Sequence, residues 1–275
     1  VAKPYICVRM RPIILLLLVI LGTASCKNSF ETVQKSKDYE YKLTKADEYF
    51  NKKEYTKANT LYDELLPIFK GTKKFEGMYY RYAYTFFYNK NYLPASYHFK
   101  NFTDLFPKSD KTDECEYINS LCLFKMSPNY QLDQSNTVKS IGEMQEFINM
   151  HPESDKLSQA NAMIDQSREK LEQKDRYSAE LYFKIKQYKA ATIAFENVIR
   201  KYPDSKFSDY YHYMIIMAYY RYAGNSIPEK QAERFSRVIG DITDFKEKFP
   251  KSSYLSEIQK INGLSSQSLK KLSKS

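Results

Sequence analysis

Apolar residues in this chain fall at fixed distances before a recurring punctuation mark. Counting back from Pro107 by five, eight, twelve and fifteen positions gives Phe102, Phe99, Ala95 and Tyr92. The same offsets give Val198, Phe195, Ala191 and Tyr188 before Pro203, and Phe245, Ile242, Val238 and Phe235 before Pro250. Lys70 takes the proline's place in an earlier copy with Leu65, Tyr62, Ala58 and Tyr55, while the copy before Pro152 keeps Phe147 and Met144. Steps of three and four place these residues on one face of a helix. A second helix is predicted ahead of each, carrying a small residue three before an aromatic: Ala46 with Tyr49, Ala83 with Phe86, Ala179 with Tyr182. The small residues let two antiparallel helices approach closely, and the large rings fill the space between successive pairs.

The punctuation itself is Phe106-Pro107-Lys108-Ser109, His151-Pro152-Glu153-Ser154, Tyr202-Pro203-Asp204-Ser205 and Phe249-Pro250-Lys251-Ser252. Each proline disfavours helix in the residue before it, and each serine is expected to cap the next helix. With prolines 45, 51 and 47 residues apart, the pattern resembles tetratricopeptide repeats over about residues 38 to 252. The expectation is an all-α, tetratricopeptide-like helical-hairpin solenoid of about five repeats plus a polar C-terminal helix from Ser253 to about Lys271. It would form one domain over 38–275, with loops around Ser127 to Asn136 and Gly224 to Lys230. Seven glycines and the lack of alternating valine-rich strands argue against a sheet.

The first residues depart from this pattern. Lys3, Arg9 and Arg11 precede the apolar run Ile13 to Leu21, and small residues Gly22 to Ser25 lead to Cys26. This reads as a signal peptide over 1–25, with Met10 as a start that already contains its parts, since a spanning helix needs about 20 apolar residues. Leu21-Gly22-Thr23-Ala24-Ser25-Cys26 resembles a lipobox, with Thr23 where Leu is usual, so Cys26 is the expected lipidation site and residues 26–37 a lipidated cysteine and polar tether. Acyl chains contribute about 0.8 kcal/mol per buried methylene, enough to hold the chain on a membrane.

The formal charge is +10, three of the basic residues lying in 1–25. Lysines mixed among carboxylates describe a solvated helix surface, and in an exported protein they point to an acidic partner or anionic headgroups rather than nucleic acid. Cys115 and Cys122, seven apart on one helix, would lie about 10.5 Å apart, too far for a disulfide, and read as buried thiols. His98, His151 and His212 stand apart, with no metal-ligand spacing, phosphate loop or nucleophile elbow, so no catalytic residue, metal or cofactor is expected. Asp113, Glu114 and Glu116 read as solubilising surface charges.

The 26 tyrosines and 17 phenylalanines exceed what a two-layer solenoid needs. In Tyr79–Tyr88, Tyr79, Tyr82, Ala83 and Phe86 are assigned inward, leaving Tyr80, Tyr84, Phe87 and Tyr88 to face the concave groove. Phe50 and Phe183 share the register of Phe87. With Arg176 and Lys184 beside them, these rings would suit a peptide of apolar and acidic side chains.

Taken with Cys26, the paired-helix repeats and the Pro-x-Ser motifs, the mature chain resembles the BamD family, the lipoprotein component of the outer-membrane β-barrel assembly machine. The resemblance implies an outer-membrane, lipid-anchored, periplasm-facing protein that is not an enzyme. Its partners would be a barrel-forming insertase with periplasmic domains, unfolded outer-membrane proteins bound through their C-terminal signal, and other assembly lipoproteins. The N-terminal repeats would hold the substrate, and the C-terminal repeats, with the loop at Gly224 to Lys230, would dock the insertase. A secretin pilotin or a coordinator of cell-wall synthesis is the alternative on the same fold, and a glycan-handling lipoprotein a third.

Overall fold

The computed structural model describes residues 27–273; Cys26 and the signal segment lie outside them. The described residues form helices α1 (Lys27–Lys35), α2 (Tyr39–Asn51), α3 (Tyr55–Phe69), α4 (Phe75–Tyr88), α5 (Tyr92–Leu105), α6 (Thr112–Lys125), α7 (Ser135–Met150), α8 (Leu157–Lys184), α9 (Tyr188–Lys201), α10 (Ser208–Gly224), α11 (Pro228–Lys248) and α12 (Leu255–Leu272). Consecutive helices pack as antiparallel hairpins, α2 through α6 in one run and α9 through α12 in another. Every apolar position predicted five, eight or twelve before the punctuation is buried, from Leu65, Tyr62 and Ala58 to Phe245, Ile242 and Val238. Ala46, Ala83 and Ala179 are fully covered, as close helix approach requires. Cys115 and Cys122 are free, buried thiols, and burial pushes Cys122 up to about 12.

The chain divides into two compact units, where the sequence reading expected one continuous domain. The first holds the described residues up to Ser127 together with Val138–Asn161; the second holds Pro128–Thr137 and the chain from Ala162. The 28-residue α8 contributes to both, at the step where the proline spacing widens to 51.

Two further expectations change. The stretch read as a tether is helical over Lys27–Lys35, because Val33 is buried and the Phe30 ring meets Tyr49 at 5.6 Å. The loop expected at Gly224 to Lys230 is three residues long, since α10 runs to Gly224 and Pro228, with φ pre-set for helix, opens α11. The residues added to that repeat extend the helices instead.

Three hairpins share one turn. Lys53, Lys90 and Lys186 adopt φ of 62°, 59° and 63°. Each donates its N–H to the residue three back, while the next residue donates to the one five back, as Glu54 does to Tyr49 at 2.8 Å and Asn91 to Phe86 at 2.9 Å. That is a Schellman ending with lysine where glycine is usual. A left-handed non-glycine residue costs roughly 1–2 kcal/mol, part of which glycine's own chain entropy offsets. Lys90→Gly is therefore expected to raise stability by about 0.5–1 kcal/mol in urea unfolding; an unchanged or lower midpoint would show that the lysine is not strained.

Candidate partner-binding surface

Several of the tyrosines hydrogen-bond from one element to another. Tyr62 donates to Asp47 at 2.6 Å, and Asp47 also accepts from Arg81 Nε at 2.9 Å, joining α2, α3 and α4. Tyr80 and Tyr84 of α4 both donate to Glu114 of α6, at 2.7 and 2.5 Å. Burial, reinforced by Glu114, pushes both hydroxyls well above the usual tyrosine range. In the second unit Tyr202 donates to Asp175 at 2.8 Å, Tyr210 to Glu180 at 2.9 Å and Tyr211 to Glu172 at 2.5 Å. A ring supplies apolar area to the interface, and its hydroxyl reaches a charged acceptor that strengthens the bond.

The serines of the punctuation do not cap helices. Each Oγ accepts from the N–H two residues on, Ser109 from Lys111 and Ser205 from Phe207, within the turn, and the helix starts one residue later. Three of them also donate to a carboxylate of an earlier helix: Ser109 to Glu76 at 2.7 Å, Ser205 to Glu172, and Ser252 to Asp209 at 2.7 Å. In the third copy His151 takes this role, its Nε2 2.7 Å from Glu116. Glu114 and Glu116 are thus structural acceptors rather than solubilising charges. The residue types are readable in the sequence; the pairing, 30 to 43 positions apart, is not.

His98 serves the core. It lies between Tyr79, whose hydroxyl is 3.0 Å from Nδ1, and the stacked ring of Phe86, and burial lowers its pKa. His212 is likewise lowered by burial. Among the described residues no group of His, Cys, Asp and Glu could hold a metal ion.

The residues expected to line a groove fare unevenly. Phe50, Phe87 and Phe183 are half-buried, and each packs edge-on against the tyrosine five residues later: Tyr55 at 5.6 Å, Tyr92 at 5.9 Å, Tyr188 at 5.4 Å. They brace the hairpin turns. Tyr84 is 6% exposed, enclosed by Tyr80, Tyr88 and Phe99, so its ring is core. It points inward because Glu114 offers its hydroxyl an acceptor there. Tyr80 is half-buried over Phe102, and Tyr88 is exposed while stacking on Tyr55 at 4.6 Å. The structure therefore gathers Phe50, Tyr84, Phe87 and Tyr88 at one place in the first unit, as an edge rather than a groove. Arg176 and Phe183 belong to the second unit, where Arg176 lies over Phe207, 4.8 Å from its centroid.

An accessible apolar row does exist along α8 and the residue that follows it. Tyr177, Leu181 and Ile185 follow one another at helical steps of four and are 42%, 45% and 55% exposed. Tyr130 closes one end, 5.7 Å from Tyr177, and Tyr182 and Ile193 are exposed nearby in sequence. Exposed Lys184 and half-buried Arg176 adjoin the row along the helix. The four-residue spacing of these apolar residues is visible in the sequence, but the adjacent buried Ala179 of the repeat signature obscures it.

Among solved structures the chain is similar to the TPR2AB domain of yeast Sti1 from its pHSP90 complex, at 12% identity over 83% of this chain and 98% of that one, with a TM-score of 0.38. It is also similar to the TPR domain of P58(IPK), at 17% identity over 88% of this chain and 68% of that one, with a TM-score of 0.41. No curated protein matches. The model of the YfiO family, described as outer membrane lipoprotein, matches residues 35–207 and 182–264, and the chain thus belongs to this BamD-like family of outer membrane lipoproteins.

Proposed function

We propose that this protein, anchored by a lipid on Cys26 and facing the periplasm, is a non-catalytic component of the outer-membrane β-barrel assembly complex. It binds the periplasmic domains of the barrel insertase and unfolded outer-membrane proteins through their aromatic, apolar C-terminal signal. Family membership supports the setting, and the exposed Tyr177, Leu181 and Ile185 row is the observation that carries the binding role. Three apolar side chains at four-residue steps offer successive anchor points to an extended or helical segment, and the neighbouring Arg176 and Lys184 suit acidic or carboxylate-bearing peptides. The work is capture and transfer, so affinity for many substrates is modest.

Leu181→Asp combined with Tyr177→Ser tests the assignment. Both positions are solvent-exposed, so the helical content should remain while the affinity for a labelled barrel C-terminal peptide falls at least about tenfold, the loss of roughly 1.4 kcal/mol of apolar contact. Unchanged peptide affinity would remove α8 as the substrate surface.

A further inference from the structure

We propose that the hairpin-turn edge of the first two repeats is a membrane-surface contact, seated on the anionic headgroups of the bilayer that holds the lipid. This rests on the anchor at Cys26 proposed above, and concerns which face of the protein the anchor presents to the membrane. α1 fixes the geometry. It runs antiparallel to α2: Phe30, near its start, meets Tyr49 near the end of α2, whereas Gln34, near its end, accepts from Lys42 Nζ at 2.7 Å near the start of α2. Lys42 is buried, and its Nζ also bonds Glu64 of α3 at 2.8 Å, so α1 is clamped to the first hairpin rather than trailing from it. Going back from Phe30 to Lys27 advances along the helix by about 4.5 Å, as does going forward from Tyr49 to Lys52. The start of α1 therefore lies level with the α2–α3 turn, and Cys26, next in the chain, lies outside the described residues.

That edge has the composition of an interfacial surface. Lys52, Lys53 and Lys90 are exposed on the two turns, and Lys125 sits over the Tyr92 ring at 5.7 Å. The turns adjoin, because Tyr88 stacks on Tyr55 at 4.6 Å and lies 6.1 Å from Phe50. Tyr88 is exposed, and Leu93, at the start of α5 just past the same turn and 70% exposed, is the most exposed large apolar side chain among the described residues. Lysines and aromatic rings around a protruding leucine are what a headgroup layer accommodates: the cations meet phosphate, the rings lie at the interface and the leucine reaches the acyl boundary. Each lysine near an anionic surface strengthens binding about fivefold.

The chain contains no tryptophan, so single tryptophans report cleanly. The intact lipoprotein is reconstituted into phosphatidylethanolamine and phosphatidylglycerol vesicles carrying brominated acyl chains, with Leu93→Trp or, at the opposite end of α5, Leu105→Trp; the two sites are about 18 Å apart along the helix. The edge contact predicts at least twofold stronger quenching at position 93 than at 105, and loss of that difference in a Lys52→Glu, Lys53→Glu, Lys90→Glu background. Equal quenching, or stronger quenching at 105, in a chain that floats with the vesicles overturns the edge while leaving the anchor standing. A chain that fails to float overturns the anchor, and this inference with it.

Discussion

Replacing Tyr84 with alanine is expected to cost about 3–5 kcal/mol of stability, the range for deleting a large buried ring. The ring is surrounded by Tyr80 at 4.9 Å, Tyr88 at 5.3 Å and Phe99 at 4.9 Å, and its hydroxyl donates to Glu114 at 2.5 Å. Truncation leaves a cavity between α4, α5 and α6 and leaves Glu114 with Tyr80 as its remaining tyrosine donor. Tyr84→Phe separates the two contributions: it keeps the ring and removes a bond to a charged acceptor, about 1.5–3 kcal/mol. Urea unfolding followed by helical circular dichroism measures both. A Tyr84→Ala protein of unchanged stability would show that the ring does not occupy the core.

The second large effect belongs to Glu172, the acceptor for the hydroxyls of Tyr211 and Ser205. Tyr211 is completely buried. Glu172→Ala therefore strands a phenolic donor inside the protein and loosens the turn before α10. Unsatisfied buried donors cost about 1–3 kcal/mol each, so the expected loss is about 1–3 kcal/mol, the Ser205 share being small because it can turn to water. Glu172→Gln keeps an oxygen acceptor and should lose no more than about half as much. Amide exchange across residues 202–216 distinguishes this from a surface effect: protection there should fall in Glu172→Ala and survive largely in Glu172→Gln. Equal behaviour of the two variants would contradict the role given to the carboxylate.

These two residues also show where the sequence was legible. The hairpins were, because their signal is local: a proline, a helical period of apolar residues before it and an alanine at each close approach lie within about 30 residues, and the burial of Phe99, Phe195 and Phe245 follows that period. The tyrosine–carboxylate pairs were not, because tyrosine is apolar in its ring and polar at its tip, so its periodicity cannot say whether the tip faces water or a partner helix. Glu114 looked like an ordinary charge beside lysines until the fold set it opposite Tyr80 and Tyr84. Phe50, Phe87 and Phe183 shared a register for a reason different from the one first read into it: each braces a turn whose geometry is fixed by the residue three positions on. Tyr177, Leu181 and Ile185 were masked in the opposite way, an exposed helical row lying beside the buried Ala179 of the repeat signature.

Tyrosine–carboxylate bonds and turn phenylalanines hold the hairpins together, α1 is docked rather than free, and Tyr177 and Leu181 of α8 in the second unit stay exposed. Packing of this kind suits a scaffold that presents fixed surfaces.

A mild-detergent pull-down of the tagged protein from native membranes, alongside a Cys26→Ser control, tests the proposed role most directly. Recovery of a large barrel protein with periplasmic domains, reduced when Cys26 is replaced, is the expected result. Recovery of a secretin or of cell-wall synthases without that barrel would contradict it.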